Sequence, residues 1–441
     1  MKEFELSMQI LERIEGENVY FADALKDMFQ KDPDIRPYRR EVAGLVGCAL
    51  RHDLLFTKLL SPLPELPASE KRAMCLGLAN AYYFRHFDRS EFDSEVKKAI
   101  DPANHAFYDE LSAKAGHSEE YIPADVDHSK LEYLSLRYNI PVFALKIMHH
   151  YGYSNMFKTA KRLIRPYVQY VRFRDLPELD ELRQSPDFLP TPVKDVYSYL
   201  GKQAIRRLPQ YRDRKLFDVR PAVKQLLSDN KVSAPCTVLA YLGESNGGAD
   251  CELVAEYGNE VSCYIATPKA EKLLECNRLI SNLNLRNFKV FDYNDKVSLE
   301  ANVSSKCDLV ICLPSSTGFD SIATTPDFFL HFDKEAMDAR LKEQAESLDS
   351  CAEYVEDGGM LLYGVLTISK KEGAQNVAEF LKKHPEFTLE QEKQCFPFEE
   401  LGTAFYFAKL KKGNKLATIE VPVSELGAMQ APEAHLASAK Q

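Results

Sequence analysis

Five short apolar runs in the second half of the chain constrain the fold more than any other feature. "CTVLAYLG", "EVSCYIAT", "NFKVFDY", "CDLVICLP" and "GGMLLYGVL" are β-rich, and helical stretches such as "ADCELVAEYG", "KAEKLLECNRLISNL" and "DKEAMDARLKEQAESLDSCAEYV" separate most of them. Alternation of this kind predicts βαβ units and a mainly parallel, doubly wound α/β sheet over residues 230–413. Ligands of such folds bind outside the carboxyl ends of the strands, near the point where strand order reverses. "FPFEELGTAFYFAKLKKG" is expected as a closing antiparallel hairpin. Residues 414–441, rich in Ala and poor in aromatics, are expected as a disordered tail.

At 441 residues the chain is too long for one core, so further domains are expected. Residues 1–135 read as helical. "RREVAGLVGCALRHDLLFTKLL" and "SEKRAMCLGLANAYYFRHF" carry apolar residues at spacings of three and four, with proline-rich "SPLPELPAS" between them. The polar spacer "DPANHAFYDELSAKAGHSEEYIPADVDH" is expected as a loop or lid. Residues 136–229 are expected as a small α+β connector, with two short helices before Arg165–Pro166 and a strand in "YVQYVRF".

Charge is unevenly spread. The net charge is −10, yet Arg137–Arg220 holds 17 Lys and Arg against 8 Asp and Glu. Such a segment is either a phosphate-contacting surface or a basic face docked on the acidic remainder of the chain. The candidates for phosphate contact are Arg137, Lys161, Arg162, Arg165, Arg206, Arg207 and Arg212, with Tyr138 and Tyr211 as rings that either stack on bases or pack in a core. The ten cysteines include no CxxC pair, so no metal site is expected, and most read as small buried apolar residues. No run reaches the roughly 18 apolar residues of a membrane helix. The start, "MKEFELSMQILERIEG", reads as an amphipathic helix, not a secretory signal, and a cytoplasmic location is expected.

The loops after the five strands are where chemistry would lie. "VLAYLGESNGGAD" runs from strand to helix through Gly243, Gly247 and Gly248, which allow a ligand, or equally a neighbouring backbone, to approach closely. The second strand ends Ile265-Ala266-Thr267-Pro268, with no carboxylate to grip a ribose. The third ends near Asp292, Asn294 and Asp295, which suit either an adenine amino group or a turn. The fourth exits through Pro314-Ser315-Ser316-Thr317 without the G-x-S-x-G elbow of a serine hydrolase. The fifth ends Val365-Leu366-Thr367.

This order of loops resembles the RsmB-type (Sun/Fmu) family of ribosomal RNA cytosine-5 methyltransferases, from about residue 35 to about residue 412. "LSLRYNIPVFALKIMHHYG" is similar to that family's "LSxRYxxPxWLVxxxxxxYG", and "LGTAFYFAKLKK" to its terminal "DGFFIARLRK". The resemblance implies an all-α NusB-like domain, a small connector and a Rossmann-like S-adenosylmethionine methyltransferase domain. It also implies ribosomal RNA as partner. In the family, one cysteine adds to C6 of the cytosine to make C5 nucleophilic, and a second assists product release, a task suited to a thiolate.

The motifs depart from that pattern. The family's "DAPCSGTG" is "CLPSSTG" here, with Cys312 at the Asp position and Ser315 at a Cys position. "YSTCS" is "YGVLT", which puts Leu366 in place of the attacking cysteine. "DLCAAPGGK" is "YLGESNGGA", and Ile265 stands where the ribose-binding acid is expected. Neither catalytic position is therefore filled by a thiol. Cofactor contacts, if made, fall to Gly243, Gly247, Gly248, Asp292 and Asp295, and S-adenosylmethionine is expected to bind weakly or not at all. The chain reads as an RNA or ribosome-assembly binding protein of methyltransferase descent. An active methyltransferase with altered residues, and a protein scaffold without RNA, are the other readings.

Overall fold

The computed structural model describes residues 1–63, 65–115, 121–165, 167–243, 247–303 and 306–413. The tail assigned to 414–441 lies outside them.

Among the described residues, seven α-helices form the N-terminal part: α1 (Lys2–Gly16), α2 (Phe21–Lys31), α3 (Arg39–Arg51), α4 (Asp53–Leu60), α5 (Ala68–Ala79), α6 (Arg89–Lys98) and α7 (His105–Ala113). They share one apolar core, with Ile10, Leu45, Phe56, Leu76 and Phe92 at its centre. The expected loop or lid at 101–128 is different: it contains α7, whose Tyr108 and Leu111 are buried in this core. The i, i+3 spacing of those two residues is a helical signal that the polar composition around them obscures.

Three helices follow where two were expected: α8 (Leu131–Tyr138), α9 (Val142–His149) and α10 (Tyr153–Leu163). Asn139 ends the first in the left-handed region at φ 52°, and Gly152 at φ 89° separates the other two. Their inner faces pack with Phe319, Ala323, Ile368 and Ala404 from loops of the large sheet. A four-stranded antiparallel sheet comes next, ordered β2-β3-β1-β4. Its strands are β1 (Gln169–Phe173), β2 (Phe188–Pro190), β3 (Val196–Tyr199) and β4 (Leu216–Asp218), and short helices α11 (Asp180–Arg183) and α12 (Pro209–Arg212) lie between them.

Helix α13 (Pro221–Asp229) leads into a seven-stranded sheet. Its strands are β5 (Thr237–Leu242), β6 (Ser262–Thr267), β7 (Phe288–Asp292), β8 (Cys307–Leu313), β9 (Val355–Val365), β10 (Phe387–Cys395) and β11 (Phe405–Lys412). The order is β10-β11-β9-β8-β5-β6-β7. Strands β5 to β9 pair in parallel, and β11 is antiparallel to both neighbours. Crossover helices α14 (Ala249–Tyr257), α15 (Ala270–Asn282), α16 (Lys296–Asn302), α17 (Lys334–Ala352) and α18 (Ala374–Lys383) cover the two faces. This is the doubly wound, Rossmann-like arrangement that the alternation predicts. Residues alternate between two cores: Leu309, Ile311 and Leu313 of β8 face one side, and Val310 and Cys312 the other.

Two local expectations are corrected. The glycines before "MLLYGVL" do not form a turn that starts a strand. They lie inside β9 as a bulge, with Gly358 at φ 80° and the register against β8 slipping between Cys307 and Leu309. The closing hairpin pairs β11 with β10, so "FPFEELGTA" is mostly its connection. Strand β10, "FTLEQEKQC", is an edge strand with a mostly exposed, charged run, which hides the apolar signal of a strand.

Candidate functional site

The carboxyl ends of β5, β8 and β9 converge. Gly243 donates its N–H to the carbonyl of Leu313 at 2.8 Å. A Cβ at Gly243 would stand 2.2 Å from the Ser315 nitrogen, and one at Gly248 would stand 2.4 Å from the Asp218 carbonyl oxygen. Gly247 and Gly248 are both at positive φ. At Gly243 and Gly248 the chain's own backbone therefore makes the close approach, whereas Gly247 faces the Val223 and Arg220 side chains, and loop residues 244–246 lie outside the described residues.

The exits of β8 and β9 are joined by one buried carboxylate. Glu372 is fully buried. It accepts hydrogen bonds from Thr317 N at 2.8 Å, Thr317 Oγ1 at 2.7 Å and Gln344 Nε2 at 2.9 Å, and from the Thr367 hydroxyl. Gln344 also donates to the Ser315 carbonyl at 2.9 Å. Ser315 and Leu366 are both buried. Cys312 points into the opposite core, beside Cys351, and burial pushes its thiol well above its usual value.

A cleft of about 540 Å³ opens between the small sheet and these strand ends. Arg206, Tyr211, Arg214, Asp218 and Arg220 line one wall; Gly247, Gly248, Asp250, Cys251 and Lys272 line the other; Asp320 and Leu366 also border it. Lys272 pairs with Asp250 at 2.9 Å. Tyr211 donates to Asp218 at 2.7 Å, and Arg220 lies 3.6 Å from Asp320 and over the Tyr167 ring. Arg206 and Arg214 pair with no carboxylate among the described residues. Burial raises the Asp320 carboxyl to about 6 despite Arg220. Cys251 is the thiol on this wall, and burial, with Asp250 beside it, holds its pKa well above the usual value. It is therefore a poor nucleophile.

The end of β6 carries no carboxylate among the described residues. Ile265 is fully buried in the core, and Thr267 beyond it is buried as well. Asp292 accepts from Asn294 N at 2.9 Å and Asn294 Nδ2 at 3.0 Å, a turn, and Asp295 caps α16 by accepting from Ser298 N at 3.0 Å. Both are exposed.

The basic candidates divide. Arg206 reaches the cleft. Arg162 lies in a small recess shared with Tyr167, Arg220 and Asp320. Arg207 and Arg212 are exposed nearby in the chain, and Lys161 on α10 and Arg165 just after it are exposed too. Arg137 donates to the Tyr133 hydroxyl at 2.7 Å. Tyr138 is buried, edge-on to Phe157. The reading from sequence missed Arg214, Arg220, Lys272, Cys251, Asp320 and Glu372. Arg214 and Arg220 lie in the basic segment, and the others sit in mixed stretches without a motif.

No family model matches the chain. Two similar proteins are ribosomal RNA small subunit methyltransferase B of Thermus thermophilus and of Yersinia pseudotuberculosis. The first is 35% identical over 85 residues, which is 17% of this chain and 21% of the relative. The second is 33% identical over 76 residues, 16% and 18% of the two chains. The matches thus span about a fifth of those relatives. Among solved structures, PH0851 superposes with a TM-score of 0.71 at 16% identity, covering 93% of this chain and 98% of that one. A methyltransferase homologue from Pyrococcus horikoshii gives 0.54 at 14% identity, covering 65% and 100%. NSun6 from Pyrococcus horikoshii gives 0.51 at 12%, covering 61% and 97%. No helix among the described residues is long and apolar enough to cross a membrane. The chain shares the fold of these solved structures, a Rossmann-like sheet with a helical part before it, and is similar in sequence to ribosomal RNA small subunit methyltransferase B over a limited stretch.

Proposed function

We propose that this chain binds ribosomal RNA, or an assembly intermediate that contains it, and does not methylate cytosine C5 by the two-cysteine route. One observation carries the reading. The loops at the two family cysteine positions present Ser315 and Leu366, and Glu372 ties them together through Thr317 and Thr367. Loss of a covalent nucleophile costs on the order of a million-fold in rate in enzymes that depend on one. The thiol that does border the cleft, Cys251, is held protonated by burial. The buried Ile265, in place of a ribose-binding acid, supports weak or absent affinity for S-adenosylmethionine.

RNA contact is supported by Arg206 and Arg214, which face the cleft without a carboxylate partner among the described residues, and by the exposed Arg207, Arg212, Lys161 and Arg165. Their role is phosphate contact, which positions an RNA without reading its sequence. The domain limits that accompany this reading are 1–135, 136–229 and 230–413, and the location is cytoplasmic. Calorimetry with S-adenosylmethionine, beside RNA binding measured across a salt series, tests it. Salt-sensitive RNA binding without heat from the cofactor is expected. Micromolar cofactor affinity would favour an active methyltransferase, and salt-insensitive or absent RNA binding would favour a protein scaffold.

A further inference from the structure

The 42 residues Tyr133–Arg174 contain no Asp or Glu, in a chain that has 66 of them, and they carry eight Lys and Arg. Helices α9 and α10 lie within this stretch. Each buries one face: Ala144, Leu145 and Met148 on α9, and Met156, Ala160 and Leu163 on α10. The outer faces carry a different set. On α9, Phe143 and Lys146 follow at i and i+3, and both are exposed, as is His150 at the helix's C-cap. On α10, Ser154, Lys158 and Lys161 follow at i, i+4 and i+7, and all three are exposed, as is Arg165 just beyond the helix. Two rings stand out of this basic surface. Phe143 is 40% exposed and Tyr153 is 56% exposed. Phe332 supports the Phe143 ring from behind, with centroids 4.8 Å apart, so that ring is held in place while its remaining surface faces solvent.

We infer that the outer face of the α9–α10 pair is a binding ridge for single-stranded RNA. Phe143 and Tyr153 are platforms for unpaired bases, and Lys146, Lys158, Lys161 and Arg165 contact the phosphates. The inference rests on the RNA reading above and adds to it the strand state of the RNA and the rings that receive it. The absence of carboxylates along the whole stretch matches a polyanion. Exposed rings between cations match unpaired bases, because any base offers a face for stacking whereas a duplex hides its faces. An acidic protein would be drawn to the same cations but has no need of the rings.

The test is fluorescence anisotropy of the full chain with a short single-stranded oligoribonucleotide and with an RNA duplex, using Phe143→Ala, Tyr153→Ala, Tyr153→Phe and the pair Lys158→Ala and Lys161→Ala. Each ring-to-alanine variant is expected to weaken single-strand binding about ten-fold with an unchanged salt slope, and to leave duplex binding alone. Tyr153→Phe is expected to bind as the parent does. The double lysine variant is expected to lower the salt slope. Because Phe143 also packs on Phe332, a loss seen only with Phe143→Ala and accompanied by a lower melting temperature counts against the ridge. Parent protein that binds RNA while both ring variants bind equally well overturns the ridge and leaves the RNA reading standing. Parent protein that binds neither RNA overturns both. Polyglutamate that competes as strongly as the oligonucleotide assigns the surface to an acidic protein and overturns the ridge.

Discussion

Glu372 takes hydrogen bonds from Thr317 on both carboxylate oxygens, 2.8 Å from the backbone nitrogen and 2.7 Å from the hydroxyl. The same carboxylate receives Thr367, so the exits of β8 and β9 are one unit. The donors are two hydroxyls, a side-chain amide and a backbone N–H. The loops that follow β8 and β9 are therefore fixed by a polar cross-link.

Glu372→Ala removes the shared acceptor and leaves the Thr317 N–H and the Gln344 amide buried without it. The expected loss of stability is on the order of 3 kcal/mol, measured by chemical denaturation. A loss below about 0.5 kcal/mol would show that the cross-link does not hold the loops, since that is the scale of ordinary surface substitutions.

Gly243→Ala sets a methyl group against the Ser315 nitrogen, 2.2 Å from the ideal Cβ position. Backbone on both sides must move. The expected cost is about 1–3 kcal/mol, read as a lower melting temperature. If the glycine serves only a ligand, the stability of the free protein stays unchanged.

Asp320 gives a pH dependence with a definite sign. Its folded carboxyl titrates near 6, raised from 3.8 by burial, with Glu372 adding to the rise and Arg220 and Ser316 opposing it. The folded state holds the proton more tightly than the unfolded one. This contribution is complete below pH 3.8 and is lost as pH rises through about 6. A rise from 3.8 to about 6 corresponds to roughly 3 kcal/mol. Denaturation between pH 4 and pH 7.5 is expected to show a shallower decline for Asp320→Asn than for the parent. Equal slopes would contradict the assignment.

Cys251 borders the cleft, yet its thiol is expected to resist alkylation in the native protein. Mass spectrometry after brief iodoacetamide treatment at pH 8 is expected to find Cys251 modified at least about ten-fold more slowly than in denatured protein, because little thiolate forms. Rapid native labelling would make Cys251 an available nucleophile and weaken the case against covalent chemistry.

The sheet was legible because its strands are buried on both faces. The run in β8 reads as continuous apolar sequence, and the glycine loops and helical spacings bracket each strand. Elements with one polar face were harder. Helix α7 lies in a polar stretch, and β10 exposes most of its residues, so neither carries an apolar run. The site was legible only where a loop follows a strand. Gly243, Ser315 and Leu366 could be placed from the loop order. Glu372 could not, because "SKKEG" reads as a solvated turn and the partners of its one acid, Thr317 and Gln344, are 55 and 28 residues away. Arg214 and Arg220 share a cleft wall with Arg206, but only the packing of the small sheet against the large one reveals it.

The claim at the centre is that the scaffold was kept while the sulfur chemistry was lost. Incubating purified protein with small-subunit ribosomal RNA lacking base methylation and S-adenosylmethionine carrying a labelled methyl group, then digesting the RNA to nucleosides, measures it most directly. No labelled 5-methylcytidine above the level found without protein is expected. Labelled 5-methylcytidine that accumulates with time and with protein concentration would contradict it.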